Sequence, residues 1–147
     1  MKKIKLVLAL LAIGAASSCT KDTGTGTATY TVITVTEATF DKEVLQSKTP
    51  VIVDFSAEWC GPCRAFRPVY ESYASKFGKR AKFVTIDIEE FGTPFTEKYN
   101  IGSIPQVVVF ENGKESMRND WSEHENPVIF LEELLKSRFG REQRIKK

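Results

Sequence analysis

At 147 residues, with 41% hydrophobic and 27% charged side chains, the chain has the length and composition of one globular domain with short additions, and disorder is not the default. The formal charge of +2 hides an asymmetry: Lys2, Lys3 and Lys5 lie at the very start, and without residues 1–18 there remain 18 basic against 19 acidic side chains. That balance argues against nucleic acid as a main partner, because phosphate binding needs a concentrated basic face, and the closing REQRIKK is a short solvated tail over 141–147.

In chain order, the first segment is an address. The three lysines are followed by an apolar run over 6–13, then by small residues 14–18 and Cys19. This is the charged, apolar, small-residue order of a signal peptide over 1–18, and the run falls well short of a bilayer span. Ala16-Ser17-Ser18-Cys19 resembles the lipobox of bacterial lipoproteins, which implies lipidation of Cys19 and membrane association through it. The lipobox usually has Leu where Ala16 stands, so plain cleavage near Ser18, leaving Cys19 a free thiol, is the alternative. Residues 19–29 are small, polar and glycine-punctuated, a flexible tether.

The folded domain is expected over 30–140. Residues 30–35 are β-branched and suit an edge strand; Thr36 offers a helix N-cap before Phe40, Val44 and Leu45, and Pro50 ends that helix. VIVDFSA has the continuous apolar pattern of a strand buried on both faces. From Pro62 the pattern is helical, with Phe66, Val69, Tyr70, Tyr73 and Phe77 as its apolar stripe, Pro68 as a kink and Gly78 as its stop. AKFVTIDI is a strand, TPFTEKYN a short helix and IPQVVVF a strand. Asn112-Gly113 turns a hairpin into KESMRND, and a last helix over about 125–139 turns Ile129, Phe130, Leu134 and Leu135 inward. The order β-α-β-α-β-α-β-β-α predicts an α/β sandwich with a mixed central sheet of about five strands and about four helices.

Chemistry concentrates in SAEWCGPCRAFRP, where Cys60 and Cys63 stand three apart as a buried strand gives way to a helix. A bond between them closes so short a loop that it constrains little of the unfolded chain, so a purely structural disulfide is a poor explanation. A zinc site needs two more ligands, and only Cys19 on the leader and a solitary His124 remain, so no metal is expected; a site shared between two chains is the metal alternative. A thiol switch fits best. The N-terminal end of a helix stabilises a thiolate, so Cys60 is the expected nucleophile and Cys63, one turn further in, the resolving thiol. Pro62 suits the first helical turn, and Gly61 lets another backbone come close.

VIVDFSAEWCGPCRAFRPVYESYASKFG resembles the thioredoxin family, and the resemblance runs from about residue 34 to 135. It implies the thioredoxin fold and thiol–disulfide exchange through a Cys60–Cys63 redox disulfide, with no cofactor. It further implies that Asp54 is the buried acid that moves the proton of Cys63. Ile104-Pro105 matches the cis-proline loop that pairs with an extended substrate, and Trp59, Gly61 and Pro62 complete the substrate-binding surface. Three positions depart from the family: Ser56 stands where Trp is common, Phe83 where Lys is common, and Trp121 where Gly is common. Loss of the lysine raises the cost of ionising Asp54. Trp121 either narrows the substrate groove or folds back into the core.

The resulting expectation is a monomeric reductase of protein disulfides in the bacterial envelope, a periplasm-facing lipoprotein or else a soluble exported protein. Its electron donor would be a membrane thiol carrier or a thioredoxin reductase-like system. Its rivals are a disulfide oxidase or isomerase of the same fold, and a non-catalytic binding module.

Overall fold

A computed structural model of the chain describes residues 30–119 and 126–140. The signal segment, Cys19, the tether, Trp121, His124 and the 141–147 tail lie outside the described residues.

Five strands form one mixed sheet. β1 (Ile33–Thr34), β2 (Val51–Ser56), β3 (Lys82–Asp87), β4 (Gln106–Glu111) and β5 (Lys114–Arg118) stand side by side in the order β1-β3-β2-β4-β5. β1 and β2 run parallel to β3, while β4 is antiparallel to both β2 and β5. The VIVDFS strand is central and buried at all six positions, as its unbroken apolar pattern predicts.

Alternation along β2 sorts its side chains into two layers. Val51, Val53 and Phe55 face one way, with Val84, Ile86, Val108 and Phe110, and pack on Phe40, Val44 and Phe91. Those last three come from α1 (Glu37–Phe40), which widens into a π-helical turn over Asp41–Leu45, and from α3 (Ile88–Lys98). Ile52 faces the other way and joins Phe83, Val107 and Val109 beneath α2 (Gly61–Phe77) and α4 (Pro127–Leu134), which itself runs on into a π-helical turn over Leu135–Phe139. Asp54 and Ser56, in step with Ile52, therefore point toward α2.

Local chemistry explains most boundaries. Thr36 caps α1 through a capping box with Thr39, whose hydroxyl accepts from the Thr36 N–H at 3.0 Å. Asn112 and Gly113 both hold positive φ, 53° and 77°, the pair of left-handed residues that a tight hairpin turn demands. A side chain at 113 would also stand 2.6 Å from the Leu45 carbonyl oxygen.

Several elements differ from expectation. The first helix ends at Leu45 rather than running to Pro50: the Gln46 N–H makes the last bond of the turn to the Asp41 carbonyl, and its backbone leaves helical geometry at φ −94° and ψ 3°. α3 begins five residues before TPFTEKYN: Asp87 caps an extra turn by accepting from the Glu89 N–H at 3.0 Å, and Gly92 at φ 68° breaks the helix between the two halves. In α4 the buried stripe is Pro127, Phe130, Leu131 and Leu134, followed by Leu135. Ile129 is half exposed, since it lies off that i, i+3, i+4 stripe, and Leu131 takes the place assigned to it.

Candidate active site

The Cys60–Cys63 pair lies where β2 leads into α2. The two sulfurs are bonded, at 2.10 Å, across a Cα–Cα distance of 5.2 Å. Cys60 is the N-cap of α2, and its Sγ accepts a hydrogen bond from the Cys63 N–H at 3.2 Å. A 17-residue helix thus aims its unpaired N–H groups and positive dipole end at this sulfur. Cys63 has no exposed surface and Cys60 retains 4%, so the first cysteine is the less deeply buried of the two. Ala57 packs with both cysteines, and Ile88 and Ile104 close over them.

The loop before the helix is held from both ends. The Cys60 N–H donates to the Ala57 carbonyl at 3.2 Å, and the Arg64 guanidinium donates to the Glu58 carbonyl at 2.7 Å. Trp59 is 62% exposed, yet its indole N–H donates to Glu89 at 2.9 Å, which lays the ring against the start of α3. Across the site, the Ile104–Pro105 peptide is cis, and the Ile104 carbonyl oxygen lies 3.9 Å from Cys60 Sγ. Pro62, Ile104 and Pro105 share a groove with Ala65, Phe66 and Val128. Trp59, on the loop before α2, and Gly61, at the first position of that helix, lie outside that groove's lining.

Asp54 sits on the α2 face of β2, 3% exposed, and its Oδ1 has no hydrogen-bond partner in the protein. Burial pushes its carboxyl from the ordinary 3.8 up to about 7, and the positive charge of Arg67 holds it back only in part. Lys82 gives no such help, since its Nζ is engaged by the Glu43 carbonyl at 2.9 Å and the Glu43 carboxylate at 3.1 Å. Phe83, in the position where the family often carries lysine, is buried against Tyr70 in an edge-on ring contact at 5.3 Å. The Tyr70 hydroxyl lies within donor distance of the backbone carbonyls of Ile52 and Val84, at 2.6 and 2.9 Å.

A family model described as Thioredoxin matches residues 31–130. The chain is 42% identical over 80 residues to thioredoxin 1 of Synechococcus elongatus, covering 54% of this chain and 74% of that protein. It is 42% identical over 81 residues to a thioredoxin of Rickettsia bellii, with 55% and 76% covered. Against thioredoxin C-2 of Corynebacterium nephridii the identity is 37% over 84 residues, with 57% and 77% covered.

The chain belongs to the thioredoxin family. Its mixed five-strand sheet with four helices is the thioredoxin fold, and the bonded cysteine pair makes it a thiol–disulfide oxidoreductase. Among the described residues no cluster of three or more His, Cys, Asp or Glu side chains suits a metal ion.

Two groups at this thioredoxin site escaped the sequence. Arg67 follows Cys63 by four residues in α2, so helical spacing places it over the same face. Glu89 is 30 residues from the indole it holds, and nothing local pairs them.

Proposed function

We propose that this thioredoxin reduces disulfides in exported or envelope proteins. The reading rests on one observation: Cys60 Sγ caps the N-terminus of α2 and accepts the Cys63 N–H, where a thiolate gains most from helix and hydrogen bond. The reduced Cys60 thiolate attacks one sulfur of a target disulfide; that bond breaks, and the other target sulfur leaves as a thiolate. Cys63 gives its proton to the Asp54 carboxylate and attacks Cys60 Sγ. The mixed disulfide breaks, the second target thiolate departs, and Cys60–Cys63 is left oxidised. Two electrons have passed to the target, and two must be returned by a dithiol donor.

The groove of Pro62, Ile104 and Pro105 would receive an extended segment of the target, with Gly61 allowing its backbone close and Trp59 flanking it. The export signal and Cys19 support a periplasm-facing lipoprotein. A membrane thiol carrier then fits as donor, because an oxidising compartment supplies no reductant of its own.

Reduction of insulin by the full chain, with dithiothreitol as donor, tests the reaction; no acceleration over dithiothreitol alone would overturn it. A Cys63→Ser variant should hold targets covalently on Cys60. Equilibration of Cys60–Cys63 with glutathione decides direction: a pair that glutathione readily reduces belongs to an oxidase or isomerase instead. Incorporation of labelled fatty acid into the wild type but not Cys19→Ala tests the anchor.

A further inference from the structure

Asp54 and Ser56 occupy alternate positions of β2 and face the same layer. Both side chains are buried, at 3% and 4% exposure, and Asp54 Oδ1 and Ser56 Oγ each lack a hydrogen-bond partner in the protein. Orphaned oxygens are uncommon in a protein interior, and two on one strand face point to a shared partner. Ser56 lines a cavity of about 300 Å³, with Arg67, Tyr70, Glu71, Thr85 and Asp87 among its walls. Asp54 is not in that lining, whereas Ser56, two residues further along the same strand face, is.

The space is ample for several waters, each of which takes about 30 Å³ in the liquid, and its walls supply the two to four polar contacts a buried water needs. The neighbouring side chains offer no alternative relay. The Tyr70 hydroxyl is turned to the Ile52 and Val84 carbonyls. Lys82 is held by Glu43, and Phe83 has no proton to give. Arg67 reaches Asp54 through its charge alone, and a guanidinium does not release its proton.

We propose that Ser56 is a positioning residue for proton transfer: its hydroxyl, with water in the cavity it lines, connects the Asp54 carboxyl to solvent. When Cys63 passes its proton to Asp54, that proton leaves through the water–Ser56 chain, and the hydroxyl donates in turn to the ionised carboxylate. The step is proton movement only, and no electrons are exchanged with the serine. The place a bulky indole often fills in this family becomes a hydrated port.

The charged and titratable groups around this path come from several elements. α2 contributes Cys63, Arg67, Tyr70 and Glu71; the loop before it contributes Glu58; β3 ends in Asp87, and α3 adds Glu90. On the remaining sides β4 and α4 bring the apolar Val107, Phe130 and Leu131 to the same layer.

The inference rests on the proposed role of Asp54, and the test separates the two. The rate of mixed-disulfide resolution is measured by rapid mixing from pH 5 to 9 in full-length chains. Ser56→Val and Ser56→Thr share one shape and differ in the hydroxyl, so packing and folding effects cancel between them. The valine variant should resolve about tenfold more slowly near neutral pH, a fraction of the range typical of general acid–base groups, and its inflection should move to higher pH. The threonine variant should stay within about twofold of wild type. In an Asp54→Asn background, valine and threonine should behave alike. Coincident profiles for Ser56→Val and Ser56→Thr, or a difference that persists in Asp54→Asn, would overturn the inference. If Asp54→Asn by itself leaves rate and profile unchanged, the role of Asp54 fails first.

Discussion

The indole N–H of Trp59 donates to the carboxylate of Glu89 at 2.9 Å, joining the exposed aromatic beside Cys60 to the first turn of α3. The ring would otherwise be free to turn, since little else covers it. Held this way, it presents a fixed apolar face at the rim of the disulfide. Glu89→Ala should therefore raise KM for insulin about two- to threefold and leave kcat nearly unchanged, because orientation of a surface is lost and the reacting sulfurs are untouched. Steady-state kinetics check the split; a fall in kcat alone would contradict it.

Asp54 makes stability depend on pH. Its folded-state value of about 7 lies above the ordinary 3.8, so the native protein holds the proton more tightly than the unfolded chain. The stability tied to this proton is full below about pH 4 and is lost as pH rises through about 7. Asp54→Asn removes the charged form, and above pH 8 it should unfold about 2–4 kcal/mol harder than wild type. Near pH 4 the two proteins should differ little. Urea melts at both pH values measure this, and an equal gap at both would refute the account.

Tyr70 is a buried tie between the active-site helix and the sheet, its hydroxyl turned to carbonyls of β2 and β3. Tyr70→Phe keeps the ring contact with Phe83 and deletes the donor. The loss should be about 1–3 kcal/mol, the cost of leaving a buried acceptor unmade, and thermal unfolding reads it directly.

Gly113→Ala combines two faults: positive φ of 77° and a new carbon 2.6 Å from the Leu45 carbonyl oxygen. Either alone costs about 1 kcal/mol, so a loss of about 2 kcal/mol or more in denaturant titration is expected, with disulfide reduction per folded molecule unchanged.

How much of this was legible beforehand follows from the range of each interaction. The order of strands and helices could be read because it rests on short-range pattern: the unbroken VIVDFS run, the Asn-Gly turn, the helical stripe after Cys63. Misreadings arose where a cap or a packing choice outweighed pattern. Asp87 started α3 early by accepting one N–H, and Leu131 displaced Ile129 from the core because the face of α4 is set by the sheet beneath it. Phe83 stands where the family often has lysine, and the adjacent Lys82 does not replace it, because its side chain lies with Glu43.

By itself the sequence determined the redox chemistry, since WCGPC places two sulfurs within bonding reach at a helix start, and both the spacing and the helix are local. It determined the burial of Asp54 as well, because that residue falls inside a strand too apolar to be exposed, while its role as an acid follows from the resemblance to thioredoxin. Tertiary structure alone decided what surrounds that acid. Arg67 rather than Lys82 lends it positive charge, Tyr70 turns its hydroxyl elsewhere, and Ser56, two residues along the strand, lines a cavity. The physical reason is reach: backbone geometry acts over a turn or two, whereas burial and field are sums over groups that only the packed sheet and helices bring together.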